Sequence, residues 1–289
     1  MPKSSWDVTE PHKLTFDDPL TAVHVRTVHG TVNVVGTDEG STRLEVSEIE
    51  GPPLRVTLED GTLTVAYDDL PWQGFLKWFD RKGHRRRAVV SLAVPAATRV
   101  EVGVVGASAV VSGIEAKTTV RGVSGDSTLL GIAGPVTAET VSGSVEAQAV
   151  TGKLRFSSVS GGLTVVEGSG PSVRADSVSG HMIVDVGPGS DPTDIQLNNV
   201  SGEIAVRLPH PADAKVEANT ASGTVSNSFD ELRVDGNWGA KRVTGRLGAG
   251  RGTLKANTVS GAIALLHRPA APEGEDEPPA DTPPTGKVL

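Results

Sequence analysis

Seven serines of this chain stand in a recurring triplet, at Val111-Ser112-Gly113, Val123-Ser124-Gly125, Val141-Ser142-Gly143, Val159-Ser160-Gly161, Val178-Ser179-Gly180, Val200-Ser201-Gly202 and Val259-Ser260-Gly261. Ala221-Ser222-Gly223 is a variant. A serine becomes a nucleophile when a base and oxyanion donors gather around it, as on the strained turn of a Gly-x-Ser-x-Gly motif. None of these serines lies in that motif, and a residue repeated at every unit reads as a turn former.

Other reactive patterns fail in the same way. There is no His-Glu-x-x-His and no Gly-x4-Gly-Lys-Ser/Thr loop, and Gly248-Ala249-Gly250-Arg251-Gly252 lacks the spacing of a nucleotide fingerprint. His12, His24, His29, His84, His181, His210 and His267 form no ligand spacing, and the absence of cysteine removes disulfides and thiolate metal sites. Calcium-binding nonapeptide repeats need Gly-Gly-x-Gly-x-Asp, which only Gly125-Asp126 approaches, without repetition. Glu139, Asp176 and Glu217 hold matching outward positions, as polysaccharide-cleaving carboxylates on a β-helix would. Arg155, Arg174, Gln196 and Lys255 share those positions, so the face reads as solvated and mixed. No catalytic residue, metal or cofactor is expected, and the chain reads as a non-enzyme.

One segment differs in kind. In residues 69–87, Trp72, Phe75, Leu76 and Phe79 recur at i, i+3, i+4 and i+7, which predicts a short amphipathic helix capped by Asp69 and ended near Gly83. Trp78 adds a further ring, and Lys77, Arg81, Lys82, Arg85, Arg86 and Arg87 form a basic cluster. The apolar face could cap the scaffold. Alternatively, aromatics and cations together suit an anionic lipid interface, or they dock on a protein partner.

The elements that carry these residues follow from the spacing. Before Gly180, Val173, Ala175 and Ser177 alternate with Arg174 and Asp176; Val216, Ala218 and Thr220 do so before Gly223, and Leu254, Ala256 and Thr258 before Gly261. Period-two alternation is the pattern of a half-buried strand. It resumes after each glycine, as in Leu163 and Val165 or Ile204, Val206 and Leu208. The unit is therefore strand, corner, strand, with glycine expected to supply positive φ and serine to bond backbone groups at the bend. Corner glycines at 113, 125, 143, 161, 180, 202 and 223 are 12, 18, 18, 19, 22 and 21 residues apart. About 18 residues is too short for a βαβ unit of about 30. It fits one coil of an all-β, single-chain parallel β-solenoid (β-helix), with an antiparallel meander as the rival.

This reading divides the chain into a flexible N-terminus over 1–12 and an N-terminal all-β region over 13–100 with the insertion at 69–87. A solenoid repeat domain follows over 101–267, then an acidic, proline-rich tail over 268–289, disordered by composition. The entry region contains a diverged unit, Val23, Val25 and Thr27 before Val28-His29-Gly30, and a hairpin signal at Asp60-Gly61. With 3% aromatic residues, the interior must be built from Val, Leu, Ile and Ala. The net charge of −8 excludes broad nucleic-acid binding, which needs concentrated basic surface. No run of about 20 apolar residues could span a membrane, and the first residues lack the apolar stretch of a signal peptide, so a cytoplasmic location, membrane-associated at most, is expected.

With Thr140-Val141-Ser142-Gly143-Ser144-Val145, Ser177-Val178-Ser179-Gly180, Thr220-Ala221-Ser222-Gly223-Thr224-Val225 and Val259-Ser260-Gly261-Ala262-Ile263, the chain resembles the bacterial β-strand-repeat family DUF4097, which carries an adhesin label. Val28-His29-Gly30-Thr31-Val32 and Asp60-Gly61 extend the likeness over about 14 to 267. The adhesin label implies surface exposure, and the resemblance brings no catalytic motif. The expected function is a non-enzymatic scaffold or binding module with a protein partner or a second copy, or an anionic membrane surface. The alternatives are a polymerising element like the bactofilins and a carbohydrate-active β-helix.

Overall fold

The computed structural model describes residues 3–68, 86–188, 193–237 and 239–268. The expected helix with Trp72, Phe75, Leu76, Lys77, Trp78, Phe79, Arg81, Lys82 and Arg85, and the tail after Arg268, lie outside them. Every regular element among the described residues is a strand. The first eight are β1 (Ser4–Val8), β2 (His12–Phe16), β3 (Ala22–Thr27), β4 (His29–Thr37), β5 (Thr42–Glu50), β6 (Leu54–Glu59), β7 (Thr62–Ala66) and β8 (Arg87–Pro95). The middle of the chain alternates β9 (Arg99–Val104), β10 (Ser108–Ser112), β11 (Thr118–Gly122), β12 (Ser127–Leu130), β13 (Val136–Thr140), β14 (Val145–Gln148), β15 (Leu154–Ser158), β16 (Leu163–Gly168), β17 (Ser172–Asp176), β18 (Met182–Val186), β19 (Asp194–Asn198) and β20 (Ile204–Leu208). The last are β21 (Ala214–Thr220), β22 (Val225–Asn227), β23 (Leu232–Asn237), β24 (Ala240–Leu247), β25 (Gly252–Thr258) and β26 (Ile263–His267).

Odd-numbered strands of the array form a front sheet and even-numbered ones a back sheet, so each coil contributes one strand to each. Neighbouring coils pair in parallel, for example Leu154↔Val173 in front and Leu163↔Met182 behind. The fold is thus a flattened, two-sheet parallel β-solenoid, and the meander is excluded. Inward residues of both sheets meet in one core: Val136, Ala138, Leu154, Phe156, Val173 and Ala175 from the front, Val145, Ala147, Leu163, Val165, Met182 and Val184 from behind. Full burial of each large aliphatic side chain contributes about 1.5–3 kcal/mol. Phe156 fits because Ala138 and Ala175 flank it in the same column.

The stacking order departs from chain order at both ends. In front the array runs β7-β3-β9-β11-β13-β15-β17-β19-β25-β21, and behind it runs β8-β4-β10-β12-β14-β16-β18-β20-β26-β22. The coil β25/β26, last in the chain, is therefore slotted between β19/β20 and β21/β22. At the N-terminal end β3/β4 lies likewise between β7/β8 and β9/β10. Antiparallel strands close the stack: β6 and β1 in front and β5 and β2 behind at one end, and β24 and β23 in front at the other. The back sheet has no counterpart to β24 and β23, and stops at β22.

The corner glycines are required for a reason other than the one expected. None of Gly125, Gly143, Gly161, Gly180, Gly202, Gly223 and Gly261 has a φ in the left-handed region. Instead they stack. A Cβ on Gly143 would lie 2.1 Å from the carbonyl oxygen of Gly125, on Gly180 1.9 Å from that of Gly161, on Gly261 2.0 Å from that of Gly202, and on Gly223 1.8 Å from that of Gly261. No side chain fits between coils whose backbones approach this closely. A second column runs along the opposite edge, with Gly152 over Gly134 at 1.9 Å and Gly170 over Gly152 at 2.1 Å. Val111-Ser112-Gly113 belongs to neither column: it ends β10 in the back sheet, and Gly113 has φ +66°. Its coil turns at Val105-Gly106-Ala107, on whose Ala107 oxygen a Gly125 Cβ would fall at 1.8 Å.

Candidate functional site

The triplet serines of the corner column, Ser112 excepted, are held by the corner beneath. The Ser142 hydroxyl donates to Val123 O at 3.1 Å, Ser160 to Val141 O at 3.2 Å, and Ser179 to Val159 O at 3.3 Å. Ser260 and Ser222 continue the column on Val200 O and Val259 O, both at 3.3 Å. The amide of each serine donates to the same carbonyl, as Ser142 does at 2.8 Å and Ser222 at 2.9 Å. These hydroxyls are spent on the scaffold. One turn inside, buried side chains accept from the glycine amides: Thr140 from Gly143, Ser177 from Gly180, Thr258 from Gly261 and Thr220 from Gly223, at 2.9–3.1 Å.

With the serine hydroxyls bonded along the stack and the glycines buried between coils, the valines stand exposed at the corner. Val159, Val178, Val200 and Val259 are 52%, 50%, 44% and 52% exposed, and they lie on four coils that are consecutive in space. The result is an uncharged stripe of exposed valines, each beside an exposed serine, with about 4.8 Å between successive coils.

Two basic residues predicted as contacts are placed by the structure. Arg86 O accepts from the His29 amide at 3.0 Å, as Val28 O accepts from Gly106 at 2.7 Å and Val105 O from Ser124 at 2.9 Å. A Cβ on Gly30 would fall 2.0 Å from Ala88 O. Arg86-Arg87-Ala88 is therefore the first corner of the same column. Residues 69–85 lie in the sequence between Asp68 and this corner, so the described residues that flank them are at the valine-bearing edge. Arg86 packs its guanidinium 5.6 Å from the ring centre of Tyr67, a cation–π contact, and Arg87 pairs with Glu48 at 3.1 Å. Burial pushes the Tyr67 phenol above its ordinary range, against the opposing pull of Arg86. The structure thus brings Arg86 and Arg87 onto the edge; the remaining members of the predicted contact set lie outside the described residues. Sequence reasoning missed the valines, although their recurrence in the Val-Ser-Gly triplet was the available signal.

The outer face of the front sheet is polar and internally paired. Arg121 bridges Glu101 and Glu139, the latter at 3.0 Å, and Arg242 bonds Glu217 at 2.7 Å. Asn219 donates to Asn257 and Asn257 to Asn198, both at 3.0 Å, and Asn198 to Asp176 at 2.9 Å. This amide row crosses the inserted coil and locks its register. A cleft of ≈ 260 Å³ opens on the opposite edge, floored by Ile195, Leu208 and Leu254 and rimmed by Asp213 and Arg251. The backbone and guanidinium of Arg251 donate to Asp213 at 2.9 and 2.6 Å and hold its carboxyl below the usual range. Among the described residues no cluster of His, Asp and Glu could hold a metal ion, and no helix is long and apolar enough to cross a membrane.

A two-sheet parallel solenoid with stacked Ser-Gly corners defines a class of repeat scaffold. The chain belongs to the Toastrack DUF4097 family, whose model matches residues 20–266. Among solved structures it is similar to a candidate cell adhesion protein from Clostridium sporogenes, at 12% identity and TM-score 0.33, over 90% of this chain and 100% of that one. A candidate lipid binding protein from Parabacteroides distasonis aligns at 15% identity and TM-score 0.44, covering 89% and 97% of the two chains. A candidate adhesin from Bacteroides fragilis aligns at 12% identity and TM-score 0.40, covering 90% and 97%. No curated protein matches the chain.

Proposed function

We propose that this protein is a non-enzymatic, adhesin-like β-solenoid that lays its triplet edge on an anionic membrane surface without crossing it. The observation that carries this reading is the shared column. The insertion with Trp72, Phe75, Leu76, Trp78 and Phe79 springs from the same edge that displays Val159, Val178, Val200 and Val259. Counting coils from Arg86-Arg87-Ala88 to Val159-Ser160-Gly161 gives five steps, about 24 Å at ~4.8 Å each. A line of small apolar contacts on the same edge as an aromatic, basic anchor, about 24 Å from it, is what a flat interface can engage at two places. Each basic residue near anionic headgroups adds about 1 kcal/mol, which Lys77, Arg81, Lys82 and Arg85–Arg87 supply although the whole chain is acidic.

Filament growth by coil-on-coil stacking is disfavoured by the antiparallel strands that terminate both ends of the front sheet. A glycan-cleaving pair is disfavoured because Glu101, Glu139 and Glu217 are each engaged by arginine.

Vesicle flotation tests the membrane reading. The intact chain is expected to float with anionic vesicles and not with zwitterionic ones. Deletion of 70–84 should abolish flotation, and Val178→Asp with Val200→Asp should weaken it. Equal flotation of the deletion variant and the intact chain sinks the proposal.

A further inference from the structure

The four strands that end the two sheets are unequally protected. Backbone groups along an edge template pairing with another chain, and natural edges are blunted by shortness, lysine, proline or bulges. β22 has three residues. β2 carries Lys13 and follows Pro11. In β1, Asp7 is tied to Arg55 at 3.1 Å and Trp6 packs edge-on against Phe16 at 5.4 Å. β23, by contrast, has six residues without lysine or proline, and its register against β24 runs unbroken from Leu232↔Gly245 to Asn237↔Ala240.

The exposed residues of β23 carry opposite charges on the two sides of a central valine. Arg233 and Asp235 flank Val234, whose side chain is on the core side of the sheet yet 49% exposed, because the back sheet stops short beneath it. Arg242, opposite Asp235, is turned to Glu217 at 2.7 Å. In an antiparallel pair of two β23 strands centred on Val234, each Arg233 faces Asp235 of the other copy. Centring on Arg233 would oppose two cations, centring on Asp235 two anions, and a parallel in-register pair would oppose both. Opposite charges favour cross-strand pairs and like charges penalise them, so one register is selected.

We propose that β23 is a self-association edge through which two copies join about a two-fold axis at Val234, making one continuous front sheet. The chain's own tail is a poor occupant: after Arg268, Pro269, Pro272, Pro278, Pro279, Pro283 and Pro284 cannot donate to a ladder, and the stretch between Pro272 and Pro278 is acidic. A six-residue strand pair buries less than the roughly 1,200 Å² of a stable interface, so the dimer is weak and concentration-dependent. A two-fold contact is isologous and closes on itself, giving dimers without fibres.

Sedimentation velocity from about 1 µM to about 500 µM, spanning the affinities open to such an interface, should show reversible monomer–dimer exchange. Arg233→Asp should weaken it at least tenfold, and Arg233→Asp with Asp235→Arg should restore it. Because the chain has no cysteine, Val234→Cys gives a single thiol that should form a disulfide dimer under mild oxidation. Val178→Cys, equally exposed on the other edge, is the control. A wild-type chain monomeric throughout, an Arg233→Asp variant that dimerises like wild type, or Val178→Cys dimers forming as fast as Val234→Cys dimers would each overturn the proposal.

Discussion

The hydroxyl of Ser260 donates to the carbonyl of Val200 at 3.3 Å, across 60 residues of sequence. Ser222, much nearer to Val200 along the chain, bonds Val259 instead. The corner column therefore records the true neighbours of each coil, and its chemistry sets where substitutions are felt.

Gly180→Ala should destabilise the protein by about 1–3 kcal/mol, since its Cβ would meet the Gly161 oxygen at 1.9 Å and a backbone must yield. Gly40→Ala, with nothing within 4 Å, should stay within about 0.5 kcal/mol of wild type. Urea unfolding of the two variants checks the contrast; equal costs would refute the stacking argument.

Position within the corner should separate the hydroxyls. Thr258→Val strips the acceptor from the Gly261 amide in a buried site and should cost about 1–3 kcal/mol. Ser260→Ala removes an exposed bond whose acceptor keeps the Ser260 amide, and should cost about 1 kcal/mol or less. Thermal unfolding of both variants gives the comparison.

A chain ending at Arg251 lacks the coil that joins β19/β20 to β21/β22. Hydrogen exchange should then show loss of protection over 214–247 as well, with β9 to β16 still protected. Protection of 214–247 in the shortened chain would contradict the observed stacking order.

Burial holds the His24 imidazole below its ordinary value of 6.5, with Arg26 and Arg99 acting in the same direction and Glu101 opposing. As pH falls below 6.5, the unfolded chain takes up a proton that the folded chain resists, so stability is full above that value and declines toward the folded pKa. His24→Asn should flatten the slope of stability against pH in this window. An unchanged slope would place the titration elsewhere.

Much of the architecture was legible because alternation such as Leu254, Ala256, Thr258 before Ser260-Gly261 has a period that only a strand satisfies, and the spacing near 18 residues admits no helix. The stacking order was not legible, since Gly202, Gly223 and Gly261 all close a Ser-Gly corner and nothing in those corners says which coil each meets. The second column, Gly134, Gly152 and Gly170, was present in the sequence at a constant 18-residue interval but lacked a conspicuous neighbour to draw attention. Of the candidate site, the aromatic and basic segment stands out in the sequence by its i, i+3, i+4, i+7 spacing, and residues 69–85 lie outside the described residues. The exposure of Val178 and Val200 does not stand out there, because a valine beside a strand end reads as core until the corner geometry turns it outward.

The interleaved C-terminal coil also bears on synthesis. A ribosome delivers β21 and β22 before β25 and β26 exist, while β19 and β20 already offer an unpaired edge of matching register. The early neighbour must remain unseated, or be displaced, for the late one to enter. Chain order and assembly order are opposed here, and the final stack forms only after translation has passed His267.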